Sequence, residues 1–157
     1  MSIKNVVARQ YQEKVDRAAE VARQVSMPAE GWICTVRKAL NMSAAELARR
    51  LRKSRALVSN TEEAELDGGV TLKTMKGMAQ AMGCRFVYAI VPDESIDEIL
   101  AAQARKKARL LVEKSGQNMA LEAQNLTPEQ MDAEVERVSQ KLLWEMPSDF
   151  WKNNSGF

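Results

Sequence analysis

Apolar residues recur every three or four positions through most of this chain, the period of helices with one buried face. Residues 2–26 put Ile3, Val7, Tyr11, Val15, Ala18, Ala22 and Val25 on one seam. That pattern predicts an amphipathic helix. Several seam positions are only alanine, so packing against the body of the protein or a second subunit is expected rather than a freestanding coiled coil. Met27-Pro28 closes the helix, because the residue before proline avoids helical angles. Four more helices are predicted in quick succession. Residues 31–41 turn Ile33, Val36 and Leu40 inward, 43–52 turn Leu47, Ala48 and Leu51, 54–65 turn Leu57, Val58 and Thr61, and 71–82 follow. Ser43 with Glu46 reads as a capping box, and Ser54 is the cap of the next helix. Asp67-Gly68-Gly69 and Gly83 are the breaks.

The period changes to two at residues 84–91, CRFVYAIV. Phe86, Tyr88 and Ile90 fall on one face, Val87, Ala89 and Val91 on the other, and Pro92 closes the run. This is the pattern of a strand. No other segment offers comparable alternation, yet a strand needs a partner for its backbone groups. The same strand of a second copy is the economical partner, which makes Phe86, Val87, Tyr88, Ala89 and Ile90 the expected dimer interface. The alternative is pairing with an irregular stretch of the same chain. Helical spacing then resumes. Ser95 with Glu98 opens a helix to about Lys114, Gly116 is expected to break it, and a short helical piece is placed at 117–124. Thr127 caps a last helix to about Glu145, with Pro128 at its first position. The tail from Pro147 carries Phe150, Trp151 and Phe157 among polar residues and is expected to be mobile unless docked.

The fold expected is therefore mainly α: a helix-turn-helix unit over 30–83, a dimerising strand over 84–92, an N-terminal helical arm over 1–29 and a C-terminal helical region over 93–157. Composition narrows the chemistry. The chain has 157 residues, 45% of them hydrophobic, with nine Met, two Cys and no His. Lack of histidine removes the commonest general base. No phosphate-binding glycine loop occurs, and no carboxylates sit in a catalytic motif, so no enzyme and no catalytic residue is expected. Cys34 and Cys84 lie far apart without histidine, which argues against a metal site and for buried free thiols in a reducing cytosol. The longest wholly apolar run, Phe86 to Val91, has six residues, against about 20 for a bilayer span. With no signal-peptide pattern at the N-terminus, a cytoplasmic, nucleoid-associated protein without a cofactor is expected.

Charge is distributed unevenly. Residues 31–60 hold seven cations and one acid, although the whole chain is only +2. Arg49, Arg50, Arg52, Lys53 and Arg55 crowd the joint between two short helices. A short helix that is polar outside and flanked by cations is what the DNA major groove admits. Arg50, Arg52 and Lys53 around the turn read as phosphate contacts, which set register without reading sequence, and Ser43 adds a backbone contact through its helix N-terminus. The alternative for each is a solvated charge.

Residues 31–83, from GWICTVRKALNMSAAELARRLRKSRALVSNTEE to TLKTMKGMAQAMGC, resemble a helix-turn-helix domain of the Cro/C1 (XRE) repressor type, a five-helix fold. Over about residues 27–145 the chain is similar to the mobile mystery protein A family, through GWI at 31–33, TLKTM at 71–75, CRFVYAIVPDES at 84–95, QARKKAR at 103–109 and MALE at 119–122. The resemblance implies base contacts from Ser54, Arg55, Ala56, Ser59 and Asn60. Arg55 is the best base reader, since a guanidinium can donate two bonds to guanine; the alternative is that it grips phosphate. The resemblance also implies a structural ion pair between Arg37 and Glu62. The chain departs from the repressor pattern at Arg52-Lys53, where Gly and an apolar residue are usual, at Ala44 in place of a phosphate-binding Gln, and at Thr61 in place of Leu.

Members of that family lie in mobile bacterial regions beside a gene for a Fic-domain protein. The function implied is a homodimeric, sequence-specific transcriptional regulator that binds an inverted-repeat operator in double-stranded DNA and represses its own toxin–antitoxin-like two-gene module. The alternative is an antitoxin or inhibitor that binds the Fic protein through residues 92–157. The inhibitory motif S/T-x-x-x-E-G/N of Fic systems is absent; Thr61 to Leu66 comes nearest and ends in Leu.

Overall fold

The computed structural model describes residues 3–120 and 126–153. Seven helices form among them: α1 (Ile3–Arg23), α2 (Trp32–Ala39), α3 (Ala44–Leu51), α4 (Arg55–Asp67), α5 (Leu72–Ala81), α6 (Ile96–Ala120) and α7 (Pro128–Glu145). The chain divides into two compact units, Val21–Ile90 and a second made of Met1–Glu20 with Val91–Phe157. The N-terminal helix, expected as a separate arm, thus groups through most of its length with the C-terminal segment. No helix among the described residues is long and apolar enough to cross a membrane.

In the unit Val21–Ile90, α3 packs on α4 and α5, and α2 packs on the same two helices. Leu47 and Val58 are wholly buried at its centre, with Ile33, Ala48, Met75, Met78 and Met82 around them. Side-chain caps fix the helix starts. The Oγ of Ser43 accepts from the Glu46 amide at 3.1 Å, Ser54 from the Leu57 amide at 3.1 Å, and Thr71 from the Thr74 amide at 3.1 Å. Each satisfies one of the amides left open at a helix start. Two apolar positions differ from expectation. Leu40 and Leu57 lie on the exposed side, because Val36 and Val58 already fill the inward positions of their turns.

In the other unit α6 packs on α7. Ala104, Ala108 and Val112 meet Val135, Leu142 and Phe150. Thr127 and Gln130 form a reciprocal capping box at the start of α7. Gly116 does not end α6, which continues to Ala120. An interior glycine costs only about 1 kcal/mol against alanine and is tolerated in a helix otherwise able to continue. The helical piece placed at 117–124 runs past the described residues at 121. The start of the tail is docked rather than mobile. Phe150 is buried, and its carbonyl accepts from Gln103 Nε2 at 2.8 Å. The buried ammonium of Lys107 donates to the Asp149 carbonyl and lies 3.2 Å from Asp149 Oδ2. Asp16 of α1 accepts from the Ile96 amide at 3.0 Å and so caps α6 from outside it.

Residues 84–91 form no strand within the chain. No backbone hydrogen bond joins 85–91 to another segment among the described residues. A strand exists only through bonds to a neighbour, and one chain offers none here. Phe86 lies half-buried on the core of its unit, and the Tyr88 ring stacks on it with centroids 5.8 Å apart. Val87, Tyr88, Ala89 and Ile90 are exposed, Ile90 by 92%.

Candidate nucleic-acid interface

The cationic joint is a tight turn between α3 and α4. It closes when the Lys53 amide donates to the Ala48 carbonyl at 2.9 Å and the Arg52 amide to Arg49 at 3.1 Å. This pattern of bonds needs a left-handed residue, and Arg52 takes that conformation at φ 56 and ψ 43. The turn thus requires a positive φ at this position, and arginine bears the cost.

The turn pushes a continuous run of side chains outward. Arg49, Arg50, Arg52, Lys53, Ser54, Arg55, Ala56, Ser59 and Asn60 are all exposed, while Val58 and Thr61 point into the core. Leu57, 39% exposed, flanks that surface. The Thr61 hydroxyl donates to the Leu57 carbonyl at 2.7 Å, so this buried polar side chain is satisfied. Three expected contact residues are partly engaged within the fold. Ser54 spends its oxygen on the cap of α4. The Nε of Arg50 donates to the Ala81 carbonyl at 2.6 Å, fastening α3 to the end of α5. Its other guanidinium N–H groups remain outward, as a five-donor group allows. Ser43, also exposed, caps α3, but Glu46 returns no bond, so half of the expected capping box forms.

Behind this surface, carboxylates of α4 hold α2. Glu62 takes Arg37 in a two-point pair, Nε to Oε1 at 2.8 Å and Nη2 to Oε2 at 3.3 Å. Arg37 also donates to the Met42 carbonyl at 3.1 Å. The two side chains are 13% and 16% exposed, and the bond to Glu62 pushes the Arg37 pKa up. Glu65 accepts from the Trp32 amide at 2.6 Å and the Ile33 amide at 3.0 Å. It caps α2, which starts at Gly31 without a side-chain cap of its own. Gly31 sits at φ 83, and a Cβ there would meet the Glu65 carboxylate at 3.0 Å. The sequence reading missed Glu65. Its signal was its place three residues after Glu62, on the same helical face. Alongside α2, the bond from Lys38 in its last turn to Glu30 just before its start holds the Glu30 carboxyl below its usual range and raises the Lys38 ammonium. Burial pushes the Cys34 thiol up, with the Glu62 charge adding to it; Cys84, expected to be buried as well, is exposed just after α5, beyond the core of its unit.

The structure thus gathers Ser54, Arg55, Ala56, Ser59, Asn60, Arg52 and Lys53 on one outward surface, with Arg50 beside it and Arg37–Glu62 beneath. Phe86 to Ile90 lie outside that surface, on the segment after α5. No group of three or more His, Cys, Asp or Glu able to hold a metal occurs among the described residues. Comparison with models of known families, with curated proteins and with solved structures gives no match for this chain.

Proposed function

We propose that this chain is a sequence-specific DNA-binding transcriptional regulator in which α3, its turn and α4 are a helix-turn-helix and α4 enters the major groove. One observation carries the reading: a left-handed turn presents exposed cations beside the exposed polar start of α4, two of whose three glutamates, Glu62 and Glu65, are engaged on the inner side while Glu63 is exposed further along. Arg52, Lys53 and the free end of Arg50 grip phosphates. Arg55 reads guanine, Ala56 touches a thymine methyl, and Ser54, Ser59 and Asn60 bond base edges. Ser43 aids the grip through the start of α3. Two copies pair through residues 84–91 and set the half-sites of an inverted repeat about one helical turn apart, roughly 34–36 Å. The reading includes repression of the chain's own promoter beside a Fic-domain neighbour.

Fluorescence anisotropy on a duplex carrying an inverted repeat from that promoter tests this. Three phosphates gripped per subunit make six per dimer, so affinity falls on the order of 1,000-fold between 50 and 200 mM salt. Arg55→Ala flattens base preference at one position of each half-site, whereas Lys53→Ala weakens all sequences alike. A flat salt profile, or equal affinity for any duplex, would sink the reading.

A second reading, an inhibitor contact through residues 92–157 with the Fic protein, is favoured by Trp144 and Trp151, which stay exposed although the tail is docked. Exposed tryptophans are frequent anchors of protein interfaces. Co-purification of the two proteins in the absence of DNA tests it.

A further inference from the structure

Residues 92–145 hold eleven acids and seven cations, yet the stretch 99–112 within them holds four cations and no acid. One of the four, Lys107, is buried and tied to Asp149. The other three lie on the outer side of α6. Ala104, Ala108 and Val112 turn into the core shared with α7, which leaves Arg105, Lys106 and Arg109 exposed. Arg105 and Arg109 stand one turn apart, about 6 Å along the axis at 1.5 Å per residue. Like charges at this spacing repel and weaken a helix. Elsewhere in the same unit Arg9 lies beside Asp97 and Arg137 beside Glu134. No ion pair or hydrogen bond from another side chain among the described residues reaches Arg105, Lys106 or Arg109.

We infer that this face of α6 grips the phosphate backbone of the duplex that flanks the bases read by α4. The inference rests on the regulator reading and adds a second DNA contact, in the other compact unit. Charge complementarity selects the occupant. A guanidinium fork bonds phosphate oxygens at two points, and a duplex carries one negative charge about every 1.7 Å of its axis. An anion so dense and regular suits the convex side of a helix, with no pocket required. A protein partner draws its affinity from large anchors at the centre of the contact. Among these three cations the apolar side chain is the small Ala102, while Ile99 and Leu110 lie to one edge. The grip reads no sequence; it adds affinity and salt dependence.

Fluorescence anisotropy with the full chain and two duplexes tests this. Both carry the same inverted repeat from the promoter. One ends at the half-sites, and the other extends about 10 base pairs, one helical turn, beyond each. The wild type binds the longer duplex more tightly. With Arg105 and Arg109 each on a phosphate in both subunits, four contacts are added, so the gain shrinks on the order of 100-fold between 50 and 200 mM salt. The triple variant Arg105→Gln, Lys106→Gln, Arg109→Gln alters exposed positions to another good helix former, and its circular dichroism matches wild type. It keeps wild-type affinity and base preference on the short duplex and loses the gain on the long one. A gain that survives in the variant overturns the inference. So does a wild type that binds both duplexes equally, which would leave an acidic protein surface as the partner of this face. Failure of the wild type to bind either duplex overturns the regulator reading, and this inference with it.

Discussion

Arg52 bears a backbone cost in its left-handed conformation. A non-glycine residue in the left-handed region gives up roughly 1 kcal/mol, while glycine there loses more entropy on folding. Arg52→Gly is therefore expected to stabilise the chain by about 0.5–1 kcal/mol in urea unfolding while weakening DNA binding through loss of a phosphate contact. A variant that is no more stable would show the turn to be unstrained; one that binds DNA as before would remove Arg52 from the interface. Cys34 makes a different kind of prediction. Its thiol pKa is raised by burial, so the folded chain keeps a proton that the unfolded chain releases above about pH 8.5. The stabilisation is complete below that unfolded value and is lost as pH rises toward the folded one. Urea midpoints measured from pH 7.5 to 9.5 should fall more steeply for wild type than for Cys34→Ala; parallel curves would refute this.

Among the elements, α2 depends most on its neighbours. It has eight residues and no cap of its own, and isolated helices this short are marginal. The Glu65 carboxylate supplies both hydrogen bonds and a negative charge at its positive end. Glu65→Ala is expected to cost about 1–2 kcal/mol, seen as a lower urea midpoint. A loss below a few tenths of that unit would mean water replaces the cap. Since α2 also carries Arg37, the pair with Glu62 sets the same two helices together from its other end.

For the whole molecule, the proposed assembly runs through the segment 84–91. Its side chains are largely outward and its backbone is open, so pairing with a copy would satisfy both at once. Val87→Pro removes a ladder donor. The expected outcome is weaker operator binding and a lower mass by light scattering, with helical content unchanged. A Val87→Pro chain with wild-type mass and affinity would exclude the shared strand.

Helix positions were legible in the sequence because caps and apolar spacing are local. Ser43, Ser54, Thr127 and the runs around Leu47 and Val58 carry their instruction within a few residues. The outward cationic turn was legible for the same reason, since its charges adjoin in sequence. Other features depend on groups far apart in the chain, and only the tertiary structure decided them. Glu65 caps a helix more than thirty residues upstream. Arg50 is drawn to the carbonyl of Ala81. Phe150 is held by Gln103 of α6, and its neighbour Asp149 by Lys107 of the same helix. In α1 the apolar spacing identified a helix correctly, but not which face it would bury. Of its seam, Val7 and Tyr11 are exposed, Val15, Ala18 and Ala22 are half-buried, and Asp16 beside them accepts from the Ile96 amide. Periodicity reports which side of a helix is apolar; what that side meets depends on where the rest of the chain leaves a partner.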